Sequence, residues 1–164
     1  YGVAINNASD AIFLAAAGGV GFYNLHAWNF TNGIGYGTKI SAPASLATNT
    51  GGASLASKGV ALSNKEDVVA VVNNNATYNY VRAWQWSNST KSFGTEYSAP
   101  ATIPTGAGQS VQFSPDDQYI AVEHATSPFV SVYPWNSATG FGTKVTDPAT
   151  LPSGANRGGS WARI

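Results

Sequence analysis

Cysteine and methionine are both absent from these 164 residues, and charged side chains make up only 10% of them. Without cysteine the chain has no disulfide and no thiolate metal site. An extracellular protein can do without cysteine, so the compartment stays open. An average soluble domain is about 25% charged. Here Lys plus Arg and Asp plus Glu stand at 8 each, and the formal net charge is zero. That balance excludes the basic stripe of a nucleic-acid partner and the polybasic patch that holds a chain to anionic lipid. Long apolar runs are missing too. The longest, AIFLAAAGGVGFY, is broken by glycines and falls short of the roughly 20 residues of a membrane helix. No membrane insertion is expected, and no secretory signal is visible. The first residue is Tyr1, not Met, so a processed product or a fragment is the expectation.

What the chain does contain is Asn, Ser, Thr and Gly, which carry its solubility in place of charge. Four glycosylation-type triplets begin at Asn7, Asn29, Asn75 and Asn88. In a chain of this composition chance accounts for most of them.

One phrase is written three times: YGTKISAPASLATN (36–49), FGTEYSAPATIPTG (93–106) and FGTKVTDPATLPSG (141–154). Its glycines, Gly37, Gly94 and Gly142, are 57 and 48 residues apart. A long recurring period marks a repeat architecture, and about 40–50 residues per unit fits a four-stranded propeller blade. Helical repeats have similar lengths, so the pattern inside each unit must decide. In the third unit SVQFSPDDQYIAVEH reads as strand, tight turn and strand. Val111 and Phe113 alternate with polar neighbours, and Pro115 with Asp116 and Asp117 makes the turn. FVSVYPW is a third strand, rich in β-branched and aromatic residues, FGTKV a short fourth, and DPATLPSG the loop out. GVALSNKEDVVAVV, YVRAWQW and FGTEY repeat the order in the second unit, as GVAINNASDAIFLAA, NLHAWNF and YGTKI do in the first. No stretch carries a sustained helical stripe. The fold class is therefore all-β, with three four-stranded antiparallel blades at 1–51, 52–106 and 107–154.

The aromatics fall into columns. Trp28, Trp84 and Tyr133 correspond, as do Phe30, Trp86 and Trp135, two residues further on and hence on the same face of the third strand. Leu25, Val81 and Val130, with Ala27, Ala83 and Val132, make a small opposite face. Tyr36, Phe93 and Phe141 open the fourth strand. A large face against a small one suits blades packed radially, so these nine aromatics are expected between and within blades; a sugar-stacking platform is the alternative. The glycine after Tyr36, Phe93 and Phe141 allows a close backbone approach or a bulge. Residues 155–164 add a further element. Gly159-Ser160-Trp161 aligns with Val111-Gln112-Phe113, so GGSWARI reads as the first strand of a fourth unit.

The stretch FSPDDQYIAV…VSVYPW resembles the WD-repeat type of β-propeller, in which an FSPDG-like turn joins the first two strands and an aromatic ends the third. The longer phrase through DPATLPSG resembles repeats in proteins of environmental phages and bacteria. The likeness is strong for the third unit, moderate for the second and weak for the first. The WD dipeptide is missing, with Trp28-Asn29, Trp84-Gln85 and Tyr133-Pro134 near its place. The resemblance thus implies architecture, but no partner and no binding residue.

The search for chemistry yields little. His26 and His124 occupy different, non-repeating positions. There is no nucleophile elbow, no H-E-x-x-H, no phosphate loop and no calcium loop. The paired Asp116 and Asp117 are expected to be a solvated turn, not a metal or catalytic pair. No catalytic residue, metal or cofactor is assigned. Glu123 and His124 open the loop EHATSP, whose counterpart in the second unit contains Asn73, Asn74 and Asn75. A ring of such loops could bind a ligand, and plain loop variation is the competing reading. The functional expectation is a non-enzymatic scaffold or recognition module of a virion or cell-surface assembly, extracellular or at the virion surface. A multivalent glycan-binding lectin comes second, with a surface protein as another binding partner, and a propeller hydrolase third. Three blades make only an arc, so the chain is expected to partner itself, two copies closing a six-bladed ring; a fragment of one longer chain with more repeats is the competing account.

Overall fold

The computed structural model describes residues 2–16, 25–46, 56–151 and 153–154. The expected strand at 155–164 lies outside the described residues. Three four-stranded antiparallel sheets follow one another along the chain. The first contains β1 (Val3–Ile5), β2 (Ala11–Ala15), β3 (Leu25–Thr31) and β4 (Gly35–Ile40). The second contains β5 (Ser57–Leu62), β6 (Val68–Asn73), β7 (Val81–Ser87) and β8 (Ser92–Glu96). The third contains β9 (Gly108–Phe113), β10 (Tyr119–His124), β11 (Val130–Asn136) and β12 (Gly140–Phe141). Each sheet is a simple meander, which is the build of a propeller blade.

The first hairpin of each blade turns the same way. Asn6, Ser63 and Ser114 open the turn, and their side-chain oxygens accept from backbone N–H groups four or five residues on. Three residues after each opener a left-handed residue closes the turn: Ser9 (φ 54°), Glu66 (φ 58°) and Asp117 (φ 55°). The opener's carbonyl accepts from the N–H of that left-handed residue and its N–H donates to the carbonyl five residues on, so the left-handed residue is the third of a four-residue hairpin loop.

The fourth strand of blade 3 is shorter than its sequence implies. Only Gly140 and Phe141 pair as a strand, although Gly142 and Val145 still donate to the carbonyls of Pro134 and Val132. Pro134 offers that carbonyl but has no N–H to give in return, which breaks the ladder at the point where Gln85 stands in blade 2. The recurring glycine sits against this point in every blade. A Cβ on Gly94 or Gly142 would meet Gln85 Cβ or Pro134 Cβ at 3.1 Å, and one on Gly37 would meet Asn29 O at 3.4 Å. In blades 1 and 2 the pairing shifts register here, between Trp28 and Phe30 and between Trp84 and Trp86.

The first strands form the inner wall, with β1 beside β5 and β5 beside β9. They approach so closely that a Cβ on Gly59 would meet Ser110 Cα at 3.0 Å. The core is divided between two seams. In one, Phe13, Leu25 and Ala27 of blade 1 pack on Val69, Val71, Trp84 and Trp86 of blade 2. In the other, Val72, Val81 and Ala83 of blade 2 pack on Val122, Tyr133 and Trp135 of blade 3. Small face meets large face both times. Edge-on aromatic contacts, such as Phe13 on Trp86 at 4.8 Å and Trp135 on Phe141 at 4.9 Å, fill the outer half.

The blade 1 aromatics depart from the expected burial. Trp28 and Phe30 are half-buried and Tyr36 is 68% exposed, whereas Trp84 and Tyr133 are fully buried. Blade 1 has its large face on the open side of the arc, and no described blade covers it.

Candidate functional site

The inner strands carry a matched pair of irregularities. In β5 the pairing with β6 slips between Ser57 and Gly59; in β9 the pairing with β10 slips between Gly108 and Ser110, opposite the step from Glu123 to His124. The extra residues are Lys58 and Gln109, which occupy the same column of the repeat. A bulge re-aims the side chain of its extra residue and is frequent beside binding sites. Here it brings the two together: Lys58 Nζ donates to Gln109 Oε1 at 3.1 Å, and Gln109 Nε2 donates to the Ala107 carbonyl at 3.2 Å. Both are half-buried. Among the described residues no carboxylate lies within ion-pair distance of Lys58, while Arg82, Lys91 and Lys144 each have one. In a chain this poor in charge, Lys58 on the first, inner strand of blade 2 is an ammonium that donates to an amide, not to a carboxylate. Tyr1, next in the column, lies outside the described residues.

The residues singled out from the sequence surround this point but do different work. Asn73 is buried, pairs with Ser57, donates to the Tyr78 carbonyl and accepts from the Asn75 N–H. Asn75 caps the 3-10 turn Ala76–Tyr78 by accepting from Thr77 N–H. Asn74, exposed, accepts from Ala56 N–H. The triplet thus shapes the β6–β7 loop. His124 is wholly buried, with Nε2 3.0 Å from Ser131 Oγ, and burial holds its pKa below the usual 6.5. Glu123 alternates to the opposite face of β10 and does not converge with its neighbour. Asn73 and Asn75 thus hold the loop, His124 lies buried in the blade 3 face, and Glu123 stands on the opposite face of β10 from His124.

Asp116 and Asp117 also part company. Asp116 is exposed and accepts from Ser114 Oγ and Gln118 N–H, which lowers its pKa. Asp117 is buried, which corrects the expectation of a fully solvated turn. Its carboxylate reaches back to the matching turn of blade 2 and accepts from the N–H groups of Asn64 and Lys65. Glu66, in the same column, does the same to the Asn7 N–H of blade 1. The pair is a fastener between blades, signalled by an acid recurring at one left-handed turn position.

The opposite end of each seam has its own tie. Trp84 Nε1 donates to Ser45 Oγ at 2.8 Å, and Tyr133 OH donates to the Thr102 carbonyl at 2.9 Å. Ser45 and Thr102 are the same position of the recurring phrase, so the exit loop of each blade is the acceptor for the aromatic of the next. Two outer grooves, of about 310 and 510 Å³, have mixed polar and apolar linings, the first including Asp67, Gln85 and Trp86 and the second Lys39, Lys91 and Phe93; neither includes Lys58 or Gln109. Among the described residues no three His, Asp or Glu side chains approach closely enough to hold a metal ion, and no helix is long and apolar enough to cross a membrane.

No protein-family model and no curated protein matches the chain. Solved structures do. A Bacteroides fragilis protein with the provisional name 6-phosphogluconolactonase is similar over 93% of this chain and 39% of its own, at 14% identity and a TM-score of 0.65. The periplasmic gluconolactonase of Pseudomonas aeruginosa is similar over 94% and 40%, at 12% identity and 0.61. The WD40 repeats of RRP9 are similar over 88% and 37%, at 11% identity and 0.51. The chain thus spans about two fifths of the length of the structures it resembles. The expectation of a non-enzymatic virion or cell-surface scaffold is corrected by these likenesses: the resemblance leads to propellers named as lactonases, on the side of the hydrolase reading. At these identities the likeness establishes the fold: the chain forms three blades of a β-propeller.

Proposed function

We propose that the chain contributes three blades to a propeller hydrolase whose substrate is a sugar lactone, free or phosphorylated, taken at the inner wall beside Lys58 and Gln109. The observation that carries this reading is the bulged pair itself. Two neighbouring inner strands slip at the same place and turn an ammonium and an amide toward one another. The names of the lactonases with the same build supply the substrate class. Opening a lactone requires water to add to the ester carbonyl and the ring C–O bond to break, the water's proton ending on the departing alkoxide. Negative charge develops on the carbonyl oxygen in between. A preorganised donor in a partly dehydrated site stabilises that charge. Lys58 can give one N–H to Gln109 and still offer others to a carbonyl or phosphate oxygen, since an ammonium has three. Gln109 fixes where the ammonium points.

The test is acid release in a pH-stat with glucono-1,5-lactone and its 6-phosphate. The expected result is hydrolysis above the spontaneous rate, falling about 10²-fold in Lys58→Met, the scale for losing one oxyanion donor. Hydrolysis no faster than without protein, for both lactones, would reject this function.

A further inference from the structure

We infer that Tyr80 is the aromatic wall of the Lys58–Gln109 site, the residue on which the ring of a bound sugar stacks. The class of ligand rests on the lactone reading; the role of Tyr80 rests on its backbone and its place. Among the described residues seven other than glycine have positive φ. Five are polar residues at tight turns: Ser9, Glu66, Asn79, Lys91 and Asp117. The other two are aromatic, Tyr80 (φ 61°) and Phe129 (φ 70°). They hold one place in the repeat, immediately before β7 and β11. Each carbonyl accepts from the N–H of the residue that ends the preceding strand, Asn73 or His124, at 2.9 Å.

A bulky side chain is strained in this conformation, because its Cβ crowds the following carbonyl oxygen. Glycine takes it without that clash, and Asn takes it more readily than most residues. A blade that needed only the turn of the backbone would be easier to fold with either. What an aromatic adds is its ring, and strain of this kind clusters at ligand clamps.

Tyr80 also stands where the two bulges meet. Asn73, which bonds its carbonyl, pairs with Ser57, the residue before Lys58. On the other side the start of β9 presses against it: a Cβ on Gly108, the residue before Gln109, would meet the Tyr80 carbonyl at 2.9 Å. Tyr80 is half-buried. The neighbouring ring of Tyr78 is already engaged, facing the Arg82 guanidinium at 5.5 Å. Lys58 and Gln109 offer hydrogen bonds but no apolar wall, and small-molecule sites combine the two. A six-membered sugar lactone has a face of C–H bonds, which an aromatic ring covers while burying apolar area.

The experiment is calorimetric titration of the 164-residue chain with glucono-1,5-lactam, the stable amide analogue of the lactone, beside urea unfolding. The parent chain is expected to bind it. Tyr80→Phe keeps the ring and should bind as the parent does. Tyr80→Asn removes the ring and relieves the strain. It should unfold at a urea midpoint no lower than the parent's and bind about 10-fold more weakly, the scale of one apolar contact in a pocket. The lactam is not turned over, so its titration is decisive whether or not the lactone is hydrolysed. Ring-dependent binding without hydrolysis would reject the catalytic reading and leave Tyr80 in its role. A parent chain that does not bind the lactam overturns the inference. So does equal binding by Tyr80→Asn, or a lowered urea midpoint in that variant, which would make the ring a packing residue of the seam.

Discussion

Trp84 and Trp28 hold the same place in the repeat, on the same face of the third strand, and their surroundings differ completely. Trp84 is fully buried, donates its indole N–H to Ser45 and lies beneath the Arg82 guanidinium at 4.8 Å. That guanidinium is itself gripped by Glu96 through two bonds of 2.6 and 2.7 Å. Trp28 is half-buried, and its neighbours are His26, Tyr36 and Lys39 of its own blade. A blade's strand pattern decides which face an aromatic takes. Only the neighbouring blade decides whether that face is dry.

The sharpest break of this comparison is truncation at both sites. Trp84→Ala should lower stability by about 3–5 kcal/mol in urea unfolding, the scale for deleting a buried aromatic. Trp28→Ala should lower it by about 1 kcal/mol or less when the chain is monomeric. Equal losses would mean that the open face is as well packed as the seam.

The fasteners divide the same way. Asp117→Ala removes the carboxylate that accepts from the Asn64 and Lys65 N–H groups of the preceding blade's turn and should cost about 1–3 kcal/mol. Asp116→Ala, one residue away and exposed, should leave the unfolding midpoint near that of the parent chain. A reversed order would mean that Asp117 does not join the blades.

The smallest expected effect concerns pH. Burial between blades 2 and 3 holds His124 neutral and below its usual pKa of 6.5. Unfolding exposes it and lets it take a proton. Its contribution is therefore complete above about pH 6.5 and is lost as the pH falls from there toward the depressed folded value. The melting temperature should drop between about pH 7 and pH 5, and the drop should shrink in His124→Asn. An unchanged profile in the variant would place the proton uptake elsewhere.

The aromatic columns and the alternation of small and large residues made the blades legible, because sheet faces obey a period of two and repeats expose that period three times over. Burial in blade 1 was not legible, since Trp28 and Tyr36 look the same in sequence whether or not a blade covers them. The candidate site was hidden for another reason. A bulge is a slip of backbone pairing, and neither Lys58 nor Gln109 is a residue type that announces one. Asn73–Asn75 and Glu123–His124 drew notice as polar clusters at loop mouths, yet four of those five side chains serve the local backbone or the seam. Pro134 was visible, but its effect on the fourth strand depends on which neighbour its missing N–H would have faced.

The turn fasteners give the arc a direction in time as well as in space. Each carboxylate reaches back toward the amino terminus, Glu66 to Asn7 and Asp117 to Asn64 and Lys65. A ribosome makes the chain in that order, at about 5–20 residues per second. Every latch is thus completed against a turn that has already been synthesised, and no blade has to wait for one still to come. The blades can close one after another like overlapping shingles laid from the first course upward.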